Sequence, residues 1–347
     1  MRILTLVHRA FLQERPHVNR STKSSQGRMC FCTLVITLLL AVSGGINAKS
    51  LSYEFTLLNS FPEPPPGAVG ARTFVIPRGL NNRGHVVGIM VEAWFPGDNF
   101  QSDVGFIYAR GRYTLIQYPD AHWTDFSAIN NRGQIVGTAL VDSNLVHFLF
   151  DRGRFTRLEV PGRPNGINNR GEIIGTFGDP TEPGALGSYL YLNGQVQTLE
   201  KPGSSALSVS GINDHGEIVG TFRTIGTEST QGFRYWAGEY SVIVSPDPNV
   251  WTSPTDINNL GQITGNFGKT FSTRGFIYDR GIFTSFFVPE SMLCIGGEER
   301  GHTDAHAIND RGDITGRWYD PVGRPGGYIG HLSRRPTPPP VSPCQGD

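Results

Sequence analysis

Short apolar runs recur along the chain, separated by turn residues. One recurring unit is INNRGQIVG at residues 129–137, and the other is an aromatic unit such as GFIYDRGIFTSFFVP at 275–289. The runs are nearly continuous instead of strictly alternating, which is typical of strands covered on both faces. Each unit predicts a β-hairpin, because two apolar runs flank a tight turn that contains Gly.

The asparagine-containing hairpin occurs six times, and its turn glycines lie 49, 38, 45, 45 and 51 residues apart. We expect a turn in which Gly is left-handed and the first Asn bonds to backbone two residues on. This structural role explains why the same residues recur in every copy. The predicted turn residues are Asn81, Gly84, Asn130, Gly133, Asn168, Gly171, Asn213, Gly216, Asn258, Gly261, Asn309 and Gly312.

The two hairpins alternate, so a period of about 45 residues holds four strands, as in a β-propeller blade. The aromatic hairpin is complete five times, and the sixth copy, GYIGHL, stops after one strand. Residues 53–62, YEFTLLNSFP, match the missing outer strand and end near Pro62. The prediction is an all-β, six-bladed β-propeller with four-stranded blades over residues 49–332. Its last blade is closed by the N-terminal strand, which leaves no free sheet edge.

The alternation of A-x-x-I-N-x-x-G-x-I-V-G with G-F-x-Y-x-x-G-x-F-x-x-L-x-x-P resembles the HAF family of extracellular repeat proteins, found among exported bacterial proteins. The resemblance covers nearly all of residues 53–332. The His-Ala-Phe signature of that family is only approximated, by HFLF at 147–150. The resemblance implies export and a repeat architecture, and it implies no reaction and no catalytic residue.

Composition agrees with a turn-rich exported protein, since the chain has 44 Gly, 24 Pro and 17% charged residues. Residues 1–48 combine a long basic region with the apolar run FCTLVITLLLAV and small residues before Lys49, which predicts a signal peptide cleaved after Ala48. The alternatives are a start codon further downstream or an uncleaved segment that acts as an anchor. The expected location is therefore secreted or periplasmic. Residues 333–347 form a Pro-rich C-terminal tail. The remaining 24 basic and 29 acidic residues give a net charge of −5, which argues against nucleic-acid binding.

Two cysteines remain beyond the predicted cleavage site, Cys294 and Cys344. In an exported protein they most simply form one disulfide that links the tail to the loop around SMLCIGG. Free thiols, or a metal role for Cys294, are the alternatives.

The antiparallel order of a blade places all the repeated turns on one rim and all the variable loops on the other, where function concentrates. Exposed Trp, Asp and His there would suit a sugar or polyphenol-like ligand through stacking and hydrogen bonds. Alternatively, the tryptophans pack the loops onto the blades. The candidate ligand-binding residues are Trp94, Asp98, His122, Trp123, Asp125 and Trp251.

No cofactor is expected, although two segments resemble divalent-cation sites. HTDAH would place His302, Asp304 and His306 on the same side of an extended strand, where they could bind a metal. INDRGD, with Asp310 and Asp313, superficially resembles a calcium loop, but most copies of the turn carry Arg in the middle.

The sequence contains no G-x-S-x-G elbow, no H-E-x-x-H and no P-loop. The favoured hypothesis is a monomeric, non-enzymatic binding or interaction module at the cell envelope or outside the cell. Its partner would be an unknown glycan or protein, with no nucleic acid and no membrane contact beyond the signal segment. The alternative is a carbohydrate-active or lactonase-like enzyme that uses carboxylates of the variable-loop face, namely Asp98, Asp125, Asp179 and Glu182.

Overall fold

A computed structural model of the protein describes most of the chain after residue 52. The described residues are 53–58, 72–93, 103–178, 186–227, 230–247, 249–269, 272–291, 293–295, 298–320 and 323–333.

Four separate antiparallel sheets, each of four strands in chain order, account for the first part of the fold. The first sheet comprises β2 (Arg72–Leu80), β3 (Val86–Ala93), β4 (Val104–Ala109) and β5 (Arg112–Ile116). The second comprises β6 (Trp123–Ile129), β7 (Ile135–Val141), β8 (Asn144–Asp151) and β9 (Arg154–Arg157). The third comprises β10 (Arg163–Ile167), β11 (Ile173–Phe177), β12 (Gly187–Leu192) and β13 (Gln195–Leu199). The fourth comprises β14 (Ser204–Ile212), β15 (Ile218–Thr224), β16 (Thr230–Trp236) and β17 (Glu239–Ile243).

The remaining strands belong to one nine-stranded sheet. Its first group is β18 (Trp251–Ile257), β19 (Ile263–Lys269), β20 (Ser272–Asp279) and β21 (Ile282–Phe286). A short 3-10 helix, Pro289–Ser291, follows. Its second group is β22 (Leu293–Ile295), β23 (Glu298–Ile308), β24 (Ile314–Tyr319) and β25 (Pro325–Leu332), together with β1 (Tyr53–Leu57) from the N-terminal end of the described chain.

Six separate blades are therefore not found among the described residues, and that part of the prediction is wrong. Strand β23 has 11 residues, more than any other strand of the fold. Its early residues Gly301 and His302 pair in parallel with Ser272 and Thr273 of β20, which joins the two groups into one sheet. Sequence periodicity locates hairpins, but it cannot predict that one strand is long enough to pair with the neighbouring hairpin.

The N-terminal strand completes the C-terminal sheet, as predicted. β1 pairs antiparallel with β25 in a register that runs from Tyr53 opposite Leu332 to Leu57 opposite Tyr328. The Tyr53 hydroxyl also donates to the Gly312 carbonyl at 3.1 Å. The outer position of the last sheet is thus occupied by the beginning of the domain. Pro62, proposed as the end of this strand, lies outside the described residues.

The first strand of each Asn-containing hairpin is called here an inner strand. The inner strands are β2, β6, β10, β14, β18 and β23. Each lies beside the inner strands of the neighbouring repeats, and β23 lies beside β2, so the six strands surround a common axis. This closed arrangement of antiparallel sheets is an all-β propeller with four-stranded blades.

The hydrophobic core lies between neighbouring sheets. One cluster combines Val87 of β3 with Phe126 of β6 and Phe148 of β8, all completely buried. Another combines Ile174 of β11 with Val209 of β14. Because both faces of most strands are covered in this way, the apolar runs in the sequence are continuous. Within the described part of the chain, no helix is long and apolar enough to cross a membrane.

Candidate functional site

A β-bulge in every inner strand builds the lining of the axis. The pairing of each inner strand with the strand that follows it skips one residue, three positions before the first Asn of the turn. A bulge leaves its extra residue unpaired and re-aims the side chain. The six residues skipped at this position are Arg78, Ser127, Asn165, Ser210, Thr255 and His306, and all of them line one axial cavity. Strand β14 has a second skipped residue, Ser205, near its beginning.

The repeated glycine of the second strand makes room for this bulge. Gly137 lies opposite Phe126, just before the skipped Ser127. A Cβ at Gly137 would lie 2.3 Å from the carbonyl oxygen of Asp125. The equivalent distances in the other copies are 1.9–2.3 Å, for Gly88, Gly175, Gly220, Gly265 and Gly316. The Gly of the IVG motif is therefore needed where the bulged backbone approaches the second strand.

The axial space is widest on the side away from the repeated turns. The cavity that contains the bulge residues has a volume of about 260 Å³. Towards the turns lie two smaller spaces, the first of about 50 Å³ and the second of about 70 Å³. The narrow part is surrounded by a collar of buried aliphatic side chains, Leu80, Ile129, Ile167, Ile212, Ile257 and Ile308. The larger cavity thus faces the rim of the variable loops.

Beyond the collar, the Asn turns form a closed ring of hydrogen bonds. The first Asn of each turn donates from Nδ2 to the backbone carbonyl of the first Asn in the next turn, and Asn309 donates to Asn81 to close the cycle, at 2.9–3.2 Å. The backbone N–H of the second residue donates to Oδ1 of the second residue in the next turn, also in all six turns, at 2.7–2.8 Å. The Asn–Asn or Asn–Asp pair therefore links neighbouring repeats as well as shaping its own turn.

Each turn has the local geometry expected from the sequence. In the copy at Asn130, the side-chain Oδ1 accepts from the backbone N–H groups of Arg132 and Gln134, both at 3.0 Å. Gly133 has φ of 86° and donates to the Asn130 carbonyl at 3.1 Å. Asn130 is only 4% exposed, so its hydrogen bonds are made in the interior, where an unpaired amide costs about 1–3 kcal/mol.

Two arginines share one buried carboxylate at the wall of the large cavity. Asp125 of β6 is 3% exposed. It accepts from Arg78 Nε at 3.1 Å and from Arg163 Nη2 at 2.9 Å. The guanidinium of Arg163 also lies 5.9 Å from the ring centroid of Trp123. Charge-assisted hydrogen bonds of this kind fix the orientation of both guanidinium groups.

His306 presents a neutral imidazole to the same cavity. Its Nδ1 lies within hydrogen-bond distance of the Pro77 carbonyl, which can only accept, so Nδ1 carries the proton. Burial lowers the pKa of His306 to about 4, and the charges of Arg78 and Arg317 act in the same direction. At pH 7 the ring is therefore neutral and Nε2 is a hydrogen-bond acceptor.

The other polar groups of the cavity fall into two sets. Asn165 uses both amide hydrogens, towards Thr176 Oγ1 at 3.2 Å and the Val209 carbonyl at 2.8 Å, and Thr255 donates to the Ala305 carbonyl at 2.9 Å. In contrast, the hydroxyl groups of Ser127, Ser208 and Ser210 have no side-chain hydrogen bond to any described residue. They remain available to a bound molecule.

A further carboxyl group lies at the narrow part of the axis. Asp256 occupies a position where the other inner strands have Gly or Ala. Its oxygens accept from the backbone N–H of Ile257 at 2.9 Å and of Ile308 at 3.0 Å. Burial raises the pKa of Asp256 to about 7, although these two hydrogen bonds act in the opposite direction. The group is therefore partly protonated near neutral pH.

Of the predicted ligand-binding residues that the structure describes, Asp125 alone lines this cavity, and both its oxygens accept hydrogen bonds from arginine. Trp123 is half-buried beneath Arg163, and His122 is exposed. Trp251 is 42% exposed at the beginning of β18. Trp94 and Asp98 lie outside the described residues, as do Asp179 and Glu182.

The three candidate metal ligands of β23 each have another partner. His302 Nδ1 lies 3.2 Å from Thr273 Oγ1, Asp304 pairs with Arg317 at 2.9 Å, and His306 is held by Pro77. No group of three His, Cys, Asp or Glu side chains suited to a metal ion occurs among the described residues. The metal hypothesis therefore gains no support from the geometry.

The carboxylates of the candidate calcium turn are also engaged. Asp310 Oδ2 accepts from Asn82 Nδ2 at 2.6 Å and from Asn259 Nδ2 at 3.0 Å. Asp313 pairs with Arg311 at 2.8 Å. The disulfide between Cys294 and Cys344 remains a prediction, because Cys344 and the side chain of Cys294 lie outside the described part of the structure.

Sequence reasoning missed the bulge residues, although a signal for them exists. The residue directly before the first Asn is Leu or Ile in every copy. The residue three positions before the first Asn is polar in every copy, but its identity varies. A position that stays polar while its side-chain chemistry changes, inside an otherwise apolar strand, is typical of a lined cavity.

No protein-family model and no curated protein sequence matches the chain. Among solved structures, the β-propeller domain of the Trilobed protease from Pyrococcus furiosus is 11% identical, with a TM-score of 0.49 and coverage of 77% of this chain and 99% of that chain. A gluconolactonase from Xanthomonas campestris is 12% identical, with a TM-score of 0.43 and coverage of 76% and 90%. An acylaminoacyl peptidase from Pyrococcus horikoshii is 10% identical, with a TM-score of 0.46 and coverage of 74% and 51%, about half of that chain. At these identities the likeness concerns the fold alone.

Proposed function

We propose that this protein is an exported β-propeller that binds a small polar molecule in its axial cavity. The carrying observation is that six inner strands each direct one bulge side chain into a single space of about 260 Å³. A structural polar layer would satisfy its own hydrogen bonds, because unpaired buried polar groups are costly. The hydroxyls of Ser127, Ser208 and Ser210 are partly exposed to the cavity and make no side-chain hydrogen bond to a described residue, so they are free to hydrogen-bond a ligand that displaces water there.

The size of the cavity argues for a small molecule. Sites for drug-sized ligands have volumes of about 300–1,000 Å³, and this cavity of about 260 Å³ lies just below that range. A molecule of monosaccharide size fits this volume better than a long glycan. The site would be reached from the variable-loop rim, because the aliphatic collar narrows the axis on the other side.

We also propose that the nine-stranded sheet acts as two blades joined at one edge, so that the propeller is sixfold around its axis. The six inner strands and the six-membered ring of Asn side chains support this interpretation. Export through residues 1–48, membership of the HAF repeat family and a monomeric state remain part of the proposal. They rest on the sequence features given above.

A cavity-filling variant tests the proposed site. Ser210→Leu places an aliphatic side chain in the cavity, and we expect it to abolish stabilisation by small polar ligands in a thermal-shift screen of monosaccharides, polyols and sugar acids. Ser285→Leu, on the exposed side of β21, is the matched control and should respond like the wild type. Ligand binding that is unchanged in Ser210→Leu would contradict a site in the axial cavity.

A hydrolytic enzyme is the second candidate, and one observation favours it. Burial, and then the neighbouring charge of Asp125, raise the pKa of Asp103, and Asp103 Oδ1 is buried without a partner among the described residues. A carboxyl with a raised pKa beside a second carboxyl is the arrangement used for acid–base work in many hydrolases. Turnover of lactones or glycosides that disappears in Asp103→Asn but persists in Asp142→Asn, a variant of an exposed turn, would support this candidate.

A further inference from the structure

The charges that line the large cavity do not balance. Arg78 and Arg163 contribute two positive charges, and Asp125 contributes one negative charge. His306 is neutral at pH 7 for the reasons given above. Asp304, which lies nearby, is paired with Arg317. Asp103 lies beside Asp125 but does not line the cavity. Among the residues that line the cavity, one guanidinium charge is therefore uncompensated.

The donors of the two arginines are oriented but only partly used. Within the described part of the chain, Arg78 donates to protein only from Nε and Arg163 only from Nη2. Both terminal nitrogens of Arg78 are thus left to face other acceptors. A guanidinium held rigidly by a buried carboxylate is suited to bind a planar oxyanion through two parallel hydrogen bonds.

The other polar side chains of the cavity can accept hydrogen bonds, whereas the arginines only donate them. His306 Nε2 can only accept, and Asn165 presents Oδ1 because both its amide hydrogens are used. Ser127, Ser208 and Ser210 can both donate and accept. Ligand hydroxyl groups satisfy such a mixed set, whereas a second anionic group would face acceptors and be repelled.

From this arrangement we infer that the ligand is a monoanionic sugar acid, an aldonate or uronate of about six carbons, whose carboxylate binds at Arg78 and Arg163 and whose hydroxyl groups meet His306 and the serines. This inference rests on the proposed function and specifies its ligand class. A carboxylate matches the single excess charge of the cavity, whereas a phosphate monoester carries about 1.5 to 2 negative charges at pH 7.

Titration calorimetry of the purified protein with D-gluconate, D-glucuronate, D-glucose and inorganic phosphate tests the inference. We expect the two acids to bind at least about tenfold more tightly than D-glucose, since a charged hydrogen bond distinguishes them. Their apparent affinity should fall as NaCl rises from about 50 to 500 mM, because salt screens the partly exposed arginines, while that of D-glucose stays constant.

The variant Arg78→Gln keeps much of the side-chain length and removes the charge. It should weaken binding of D-gluconate at least about tenfold and leave D-glucose binding unchanged. Arg280→Gln, whose side chain is 90% exposed, should behave like the wild type. If Arg78→Gln folds poorly, the salt titration of the wild type decides the question alone.

The outcomes separate the two proposals. Equal affinity for acids and D-glucose, abolished in Ser210→Leu, would overturn the sugar-acid inference and leave the axial binding site standing. Tighter binding of inorganic phosphate than of either acid would also overturn it. Absence of binding by every probe at millimolar concentration would overturn the inference, and a flat result in the wider screen described above would count against the proposed function itself.

Discussion

At the scale of single residues, some side chains along the axis have all their hydrogen bonds satisfied by the protein, and others have no hydrogen-bond partner among the described residues. Both carboxylate oxygens of Asp125 accept hydrogen bonds from arginine. The hydroxyls of Ser127 and Ser210, in contrast, make no hydrogen bond to a described residue. The difference matters because Asp125, the residue that the sequence marked as a ligand contact, positions Arg78 and Arg163. The residues that would contact a ligand are its neighbours.

Asp256 gives the protein a pH dependence that can be measured directly. Its folded pKa of about 7 lies above the ordinary value of 3.8, so the folded state retains a proton that the unfolded chain loses above about pH 4. Stability is therefore lost as pH rises from about 4 through 7. Asp256→Asn keeps an acceptor for one of the two backbone N–H groups and removes the titration.

We expect the free energy of unfolding of Asp256→Asn, relative to the wild type, to increase between pH 5 and pH 8 by an amount on the order of a few kcal/mol at most. Urea denaturation at a series of pH values measures this difference. The exposed Asp142→Asn variant should show no such trend. If the difference in unfolding free energy between Asp256→Asn and the wild type did not change with pH, the Asp256 carboxyl would have the same pKa in the folded and unfolded states, and the prediction would be wrong.

At the scale of the structural element, the inner strand and the strand that follows it are built around the bulge. The bulge moves the inner backbone towards the second strand, and only Gly leaves room for it. The IVG glycine, the polar residue three positions before Asn and the closed Asn turn therefore belong to one local structure. This relation also explains why the glycine recurs in every copy although its φ is not left-handed.

Substitution at this glycine should cost more than substitution at the turn glycine. In Gly137→Ala the added methyl would lie 2.3 Å from the Asp125 carbonyl oxygen and 2.7 Å from Phe148 Cζ. We expect a loss of about 3 kcal/mol or more, at the upper end of overpacking costs. Gly133→Ala meets no atom within 4 Å, and its left-handed φ should cost about 1–2 kcal/mol. Equal losses in chemical denaturation would contradict the role assigned to the bulge.

At the scale of the whole molecule, the sequence predicts much of the fold because the fold repeats. The hairpins, the four-stranded blades, the Asn turns and the pairing of residues 53–57 with the C-terminal strand all follow from the motif and its spacing. The continuity between β20 and β23 does not follow, since it depends on the length of one strand. Local patterns contain no information about such a contact.

The site was less predictable than the fold. The sequence predicts a site on the variable-loop rim, and the structure places one of its residues, Asp125, in the wall of the axial cavity. Several of the other predicted residues lie outside the described residues. The bulge residues were not predicted, because a register shift is a property of two paired strands and not of one strand's sequence. The ring function of the Asn pair was not predicted for the same reason, since its partners lie 38 to 51 residues away, or 228 where the ring closes.

Binding of a ligand in the axial cavity of the propeller is tested most directly by a crystal structure of the protein equilibrated with D-gluconate. We expect difference density for the sugar acid inside the cavity, with its carboxylate against Arg78 and a hydroxyl within hydrogen-bond distance of His306 Nε2. Density for water alone in the cavity at a saturating ligand concentration, or for the ligand bound elsewhere on the molecule, would contradict it.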